Sequence, residues 1–278
     1  MALDWIVELD CSPKQTLGRG DHEEGTDALL GCLKARNRAA ALAEAAERNG
    51  DAPEAQAIEL HVAGPDGAVE ARRVSYQELV AHARGLEGLE AACRGCPANV
   101  HEQPFGCIGA VPYPVTARAE QWLAERIQPA STIGGTILLE AIADLGYTGE
   151  SVQAFREQGM FERREPVRLD INDGAPEARL VSTNQVFQAI LDVEQPLQPS
   201  HSVMLLVWLG LLQLDGEQVT SAAQAQALSR LVSPQERQER TALTIDETPP
   251  AADVAALQWL LRAMYRSWQT GTPLQVWA

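Results

Sequence analysis

Three of the chain's five cysteines and one of its five histidines fall in the stretch CRGCPANVHEQPFGC, residues 93 to 107. The spacing is Cys93-x2-Cys96-x4-His101-x5-Cys107. A C-x2-C turn folds the backbone back on itself, so two sulfurs can reach one ion. A thiolate-rich tetrahedral shell is what zinc takes in closed structural sites. The segment is rich in proline and glycine and poor in bulky apolar residues, so it has little core of its own. Apparent zinc-binding energies of ~10–16 kcal/mol exceed the whole stability of many domains, and an ion would anchor such a loop.

Topology supplies a fourth ligand. The runs LDWIVELD (3 to 10) and CIGAVPYPV (107 to 115) read as strands. They are expected to lie side by side and antiparallel, which puts Cys11 and Cys107 at one end of a sheet. The helix before Cys93 delivers Cys93 and Cys96 to that same end. The expected metal ligands are therefore Cys11, Cys93, Cys96 and Cys107, with His101 as the alternative fourth ligand. Zinc is the expected ion, and a 4Fe–4S cluster on the same cysteines is the alternative. The segment resembles a zinc knuckle, C-x2-C-x4-H-x4-C, with one residue added before the last cysteine. Two further readings stand beside the metal. One is a redox or nucleophilic thiol, and the other is reduced cysteines with no ligand. Cys32, on the apolar side of a helix, is expected to pack as a small hydrophobe.

Periodicity outlines the elements that must position these thiols. Residues 11 to 25 read as a polar loop. A helix is expected from Thr26 or Asp27 to Asn49-Gly50. AIELHVA and AVEARRVS read as strands joined by GPDG, 64 to 67, a hairpin-turn signal. Ser75 stands three residues before Glu78, the capping-box spacing, and opens a helix. In order this is β-α-β-β-α-β, the order of a split βαβ, ferredoxin-like domain. The expected fold class is α+β. That domain, with its cysteine-rich loop, spans 1–116, and a mostly α-helical C-terminal domain spans 117–278. Within the second, SHSVMLLVWLGLLQL (200 to 214) reads as one buried helix and 233 to 251 as a mobile polar segment. The last residues, YRSWQTGTPLQVWA, read as a tail packed on its own domain or a docking strand.

The 278 residues carry a formal net charge of -16. So acidic a surface repels phosphate backbones and anionic lipid, so neither nucleic acid nor a membrane surface is expected as a partner. It also opposes the single-stranded RNA binding that zinc knuckles serve. The longest apolar run, VMLLVWLGLLQL, is short of the ~20 residues a membrane helix needs. The start has no basic region before an apolar run, so no signal peptide is expected. A cytoplasmic place follows, where thiols stay reduced, and the Ala-, Arg- and Glu-rich composition suggests a bacterial source. DINDG (170 to 174) reads as a turn rather than a calcium loop, because its glycine and acidic residues are misplaced for one. No G-x-S-x-G, H-E-x-x-H or P-loop identifies an enzyme. The expected function is metal-binding: a structural zinc that closes a binding or regulatory module for protein partners. The alternative is a redox enzyme using the same cysteines.

Overall fold

A computed structural model describes residues 2–63, 69–172, 179–191, 195–245 and 251–277. The chain mixes helix and sheet, as expected of an α+β protein. It divides into two compact units, Asp10–Cys96 and Met1–Leu9 with Pro97–Ala278. This division falls elsewhere than after residue 116. The strand Ile108–Pro112 belongs with the C-terminal residues because its partner is the first strand, Ala2–Val7.

In the smaller unit, much of the stretch 11 to 25, expected as a loop, is helical. A helix spans Ser12–Leu17, with Pro13 in its first turn, where a missing N–H costs nothing. A long helix, His22–Asn49, starts earlier than expected. Asp21 caps it by accepting from the Glu24 N–H at 3.0 Å, and Gly50 ends it. The strands Ala57–Ala63 and Val69–Ser75 pair antiparallel, with Ala57 opposite Ser75. The GPDG turn lies outside the described residues. Ser75 and Glu78 form the expected capping box on the helix Tyr76–Ala83. The core of this unit is Ala35, Ala39, Val74 and Leu79, with Leu42, Ile58 and Tyr76 packed against it.

In the larger unit, Ala2–Val7 is the middle strand of a three-stranded antiparallel sheet. Ile108–Pro112 and Leu274–Trp277 flank it. The strand pairing expected between the first strand and 107 to 115 is present, but among the described residues the four-stranded ferredoxin-like sheet is not formed. The C-terminal strand occupies the second edge of Ala2–Val7, and the hairpin forms a sheet of its own. The tail is thus tied down by backbone pairing. The helix Ala252–Thr270 buries Leu257, Leu260, Leu261 and Met264. The apolar run expected as a single helix changes element. Pro199–Trp208 is helical, Gly210 breaks the helix at φ 61, and Leu212–Leu214 is a strand. Part of the polar stretch after 232 is also ordered, as the helix Pro234–Arg240 with a Ser233–Glu236 capping box, followed by the strand Thr241–Leu243. Residues 246–250 lie outside the description, as do Asp173 and Gly174 of the DINDG turn. Among the described residues, no helix is long and apolar enough to cross a membrane.

Candidate thiol site

Cys93 closes a short 3-10 turn, Glu90–Cys93. The next residues form a type II β-turn. Arg94 has φ -68 and ψ 124, Gly95 has φ 70, and the Cys96 N–H donates to the Cys93 carbonyl at 3.3 Å. A positive φ at the third position of such a turn calls for glycine, and the turn holds its first and fourth Cα atoms within about 7 Å. The C-x2-C motif therefore does locally what its spacing implies.

Cys11 reaches the same neighbourhood from far away in sequence. It is the N-cap of Ser12–Leu17, in extended backbone conformation, and its carbonyl accepts from the Gln15 N–H at 3.0 Å. Burial pushes its thiol pKa up. The backbone N–H of Lys14 on the sulfur and the Lys14 ammonium pull it down, and the negative charges of Cys96 and Cys93 push it up again. Three thiols separated by as many as 85 positions (96 minus 11) thus sit within electrostatic reach of one another. The Lys14 side chain beside them is wholly buried. Among the described residues, no three or more His, Cys, Asp or Glu side chains stand as a ready-made ligand set for an ion.

The other two expected ligands belong to the larger unit. Cys107 is buried, and its carbonyl accepts from the Val7 N–H at 3.0 Å, just ahead of the strand Ile108–Pro112. His101 has aromatic neighbours. Its ring stacks on Trp5 with centroids 5.6 Å apart, and its centroid lies 4.3 Å from that of Trp259. Burial lowers its pKa, favouring the neutral imidazole. Nothing local in the sequence links residues 5, 101 and 259. Cys32 is buried, and burial raises its pKa. No disulfide joins any of the five cysteines.

No protein-family model matches the chain, and neither a curated protein nor a solved structure matches it.

Proposed function

We propose that the unit Asp10–Cys96 binds a zinc ion through the thiolates of Cys11, Cys93 and Cys96, and that the ion is structural. The observation that carries this reading is the electrostatic proximity of Cys11 to both members of the C-x2-C turn. Thiolates are soft donors that suit zinc and not calcium or magnesium. Three of them around a divalent ion leave one negative charge, and the Lys14 ammonium beside Cys11 offsets it. The stretch that carries two of the thiols needs an anchor, because between Arg84 and Cys96 only Leu86 is buried. Drawing three neighbouring thiols into a closed ligand set is what ion binding accomplishes, at the cost of their protons.

A nucleophilic cysteine is the weaker reading. It requires a lowered pKa, and burial raises that of Cys11. The unit so closed serves as a binding module for protein partners in the cytoplasm, where thiols stay reduced.

Elemental analysis of anaerobically purified protein tests the assignment. One zinc per chain in a colourless protein is expected. Cys11→Ser, Cys93→Ser and Cys96→Ser each lose it, while Cys32→Ser, Cys107→Ser and His101→Ala keep it. A brown protein containing iron replaces zinc with a cluster. A metal-free protein, or full zinc in the Cys11→Ser variant, overturns the site as drawn.

A further inference from the structure

All five cysteines lie among the described residues, and Cys93 and Cys96 are the two that share a single turn. With Gly95 at φ 70 and the Cys96 N–H on the Cys93 carbonyl, that turn holds their Cα atoms within about 7 Å. A disulfide spans Cα atoms about 4.4–6.8 Å apart. Joining these two sulfurs therefore asks little of the backbone. A Cβ added at Gly95 would meet no described atom within 4 Å, so nothing described crowds the apex of the turn. Both cysteines are only partly buried, which leaves them within reach of a small oxidant.

The other thiols stand differently. Cys32 and Cys107 are buried, at 4% and 7% exposure. Cys32 sits in the long helix His22–Asn49, and Cys107 belongs to the larger unit. Cys11 lies within electrostatic reach of the pair, but it is the N-cap residue of the separate helix Ser12–Leu17, and its carbonyl is bonded to the Gln15 N–H. A bridge to Cys11 would join two elements, whereas a bridge from Cys93 to Cys96 closes one four-residue turn. Between Arg84 and Cys96 only Leu86 is buried, so little packing resists a change there.

We propose that Cys93 and Cys96 are a redox switch on the zinc site: a peroxide closes them into a disulfide and the ion leaves. The proposal rests on the zinc reading above. One thiolate sulfur attacks a peroxide oxygen and the O–O bond breaks, giving a sulfenic acid and a hydroxide that takes a proton from solvent. The second thiolate attacks the sulfenic sulfur. The S–S bond forms, the S–O bond breaks, and hydroxide again leaves and is protonated. The two sulfurs have lost two electrons and the peroxide has become two waters. The thiolate is the metal ligand, and disulfide sulfurs carry no charge, so the ion keeps only Cys11 of its three ligands. A dithiol reductant reverses the step by thiol–disulfide exchange.

The test treats the full chain, purified anaerobically with its metal, with hydrogen peroxide. Remaining thiols are counted, disulfides are located by mass spectrometry of the digested protein, and zinc release is followed with a coloured chelator. Two of the five thiols are expected to disappear, with a Cys93–Cys96 bridge and zinc released in step with it. Dithiothreitol and added zinc restore both. Cys11→Ser, which lacks the third ligand, still closes the bridge, and Cys96→Ser forms no bridge at Cys93. A chain that holds zinc and keeps all five thiols under peroxide overturns the switch and leaves the zinc reading standing. A chain isolated without zinc overturns that reading and the expelled ion with it, while a reversible Cys93–Cys96 bridge in that chain upholds the redox pair. A bridge to any other cysteine, oxidation that dithiothreitol does not reverse, or the absence of the bridge from folded Cys11→Ser overturns the switch.

Discussion

Glu120 and Arg156 face each other with no side-chain surface left to solvent. The guanidinium grips both carboxylate oxygens, with Nη2 on Oε1 and Nη1 on Oε2. Its other bonds go to Asn184 Oδ1 at 2.6 Å, the Arg163 carbonyl at 2.9 Å and Thr183 Oγ1 at 3.4 Å. Thr183 Oγ1 donates to Glu120 Oε1 and accepts from the Val167 N–H at 3.1 Å. The pair thereby ties together three helices, Ala117–Ala124, Glu150–Glu157 and Thr183–Leu191. Removing one partner strands the other as a buried charge, so Glu120→Leu or Arg156→Met is expected to cost ~3–5 kcal/mol by urea unfolding. The double variant should recover much of that loss, because no charge remains to be stranded. A single variant as stable as the parent would show that water reaches the pair.

Gly109 sits opposite Trp5 on the neighbouring strand. A methyl group there would come within 2.2 Å of the indole, which is wholly buried and has no room to yield. Glycine in a strand interior often marks such a close approach. Gly109→Ala is therefore expected to destabilise by about 1–3 kcal/mol, the usual range for overpacking, and to shift tryptophan fluorescence as the ring moves against His101. An unchanged melting temperature and spectrum would refute the steric account.

Metal removal gives a localised signature if zinc anchors the thiols. A chelator is expected to speed hydrogen exchange of the amides in residues 84 to 96, where burial is sparse, by at least about tenfold. The amides of Ala2–Val7, held between two strands, should keep their protection. Identical exchange with and without chelator would remove the structural role.

What was legible in the sequence was mostly local. The Ser75–Glu78 box and the Cys93–Cys96 turn are each decided by residues three apart, and both form as read. The helix Ser12–Leu17, expected as loop, has an equally local signal in Pro13 of its first turn, and Asp21 caps the next helix. Element order, by contrast, does not determine which strands share a sheet. The neighbour of Ala2–Val7 that ended the ferredoxin-like reading comes from the other end of the chain. His101 looked like a ligand because it stands among cysteines in sequence, whereas packing gives its ring two tryptophan neighbours. The first strand pairs with Ile108–Pro112 as expected, although Cys11, Cys93 and Cys96 lie outside that sheet's own unit.

Tyr113 carries a buried hydroxyl with no hydrogen-bond partner among the described residues. Burial, with the charge of Asp4 as a lesser cause, pushes its pKa up to about 12. An unfolded tyrosine titrates near 10. Between these values the unfolded chain gives up the phenolic proton and the folded chain holds it, so stability falls as pH rises from about 10 towards 12. Tyr113→Phe is expected to remove this share of the alkaline slope. Near neutrality it should be neutral or mildly stabilising, since an unpartnered buried hydroxyl is lost. A clear destabilisation at neutral pH would mean that the hydroxyl has a partner.

His101 works in the opposite direction on the acid side. Burial lowers its pKa below the usual value, which for an unfolded chain is about 6.5. Above that value both states hold a neutral imidazole and the residue adds no pH dependence. As pH falls through 6.5 the unfolded chain takes up a proton that the folded chain resists, so stability declines until the folded group is also protonated. Other groups contribute their own acid slopes, so the measurement is the difference in urea midpoint between the parent and His101→Gln across this range. The variant loses ring stacking at every pH, a constant offset. On top of that offset, the parent's advantage should shrink as pH drops below about 6.5 and stay level above 7. An advantage that instead grows on acidification would mean that the folded protein favours the imidazolium, and would put a carboxylate such as the neighbouring Glu102, rather than burial between Trp5 and Trp259, in control of this ring.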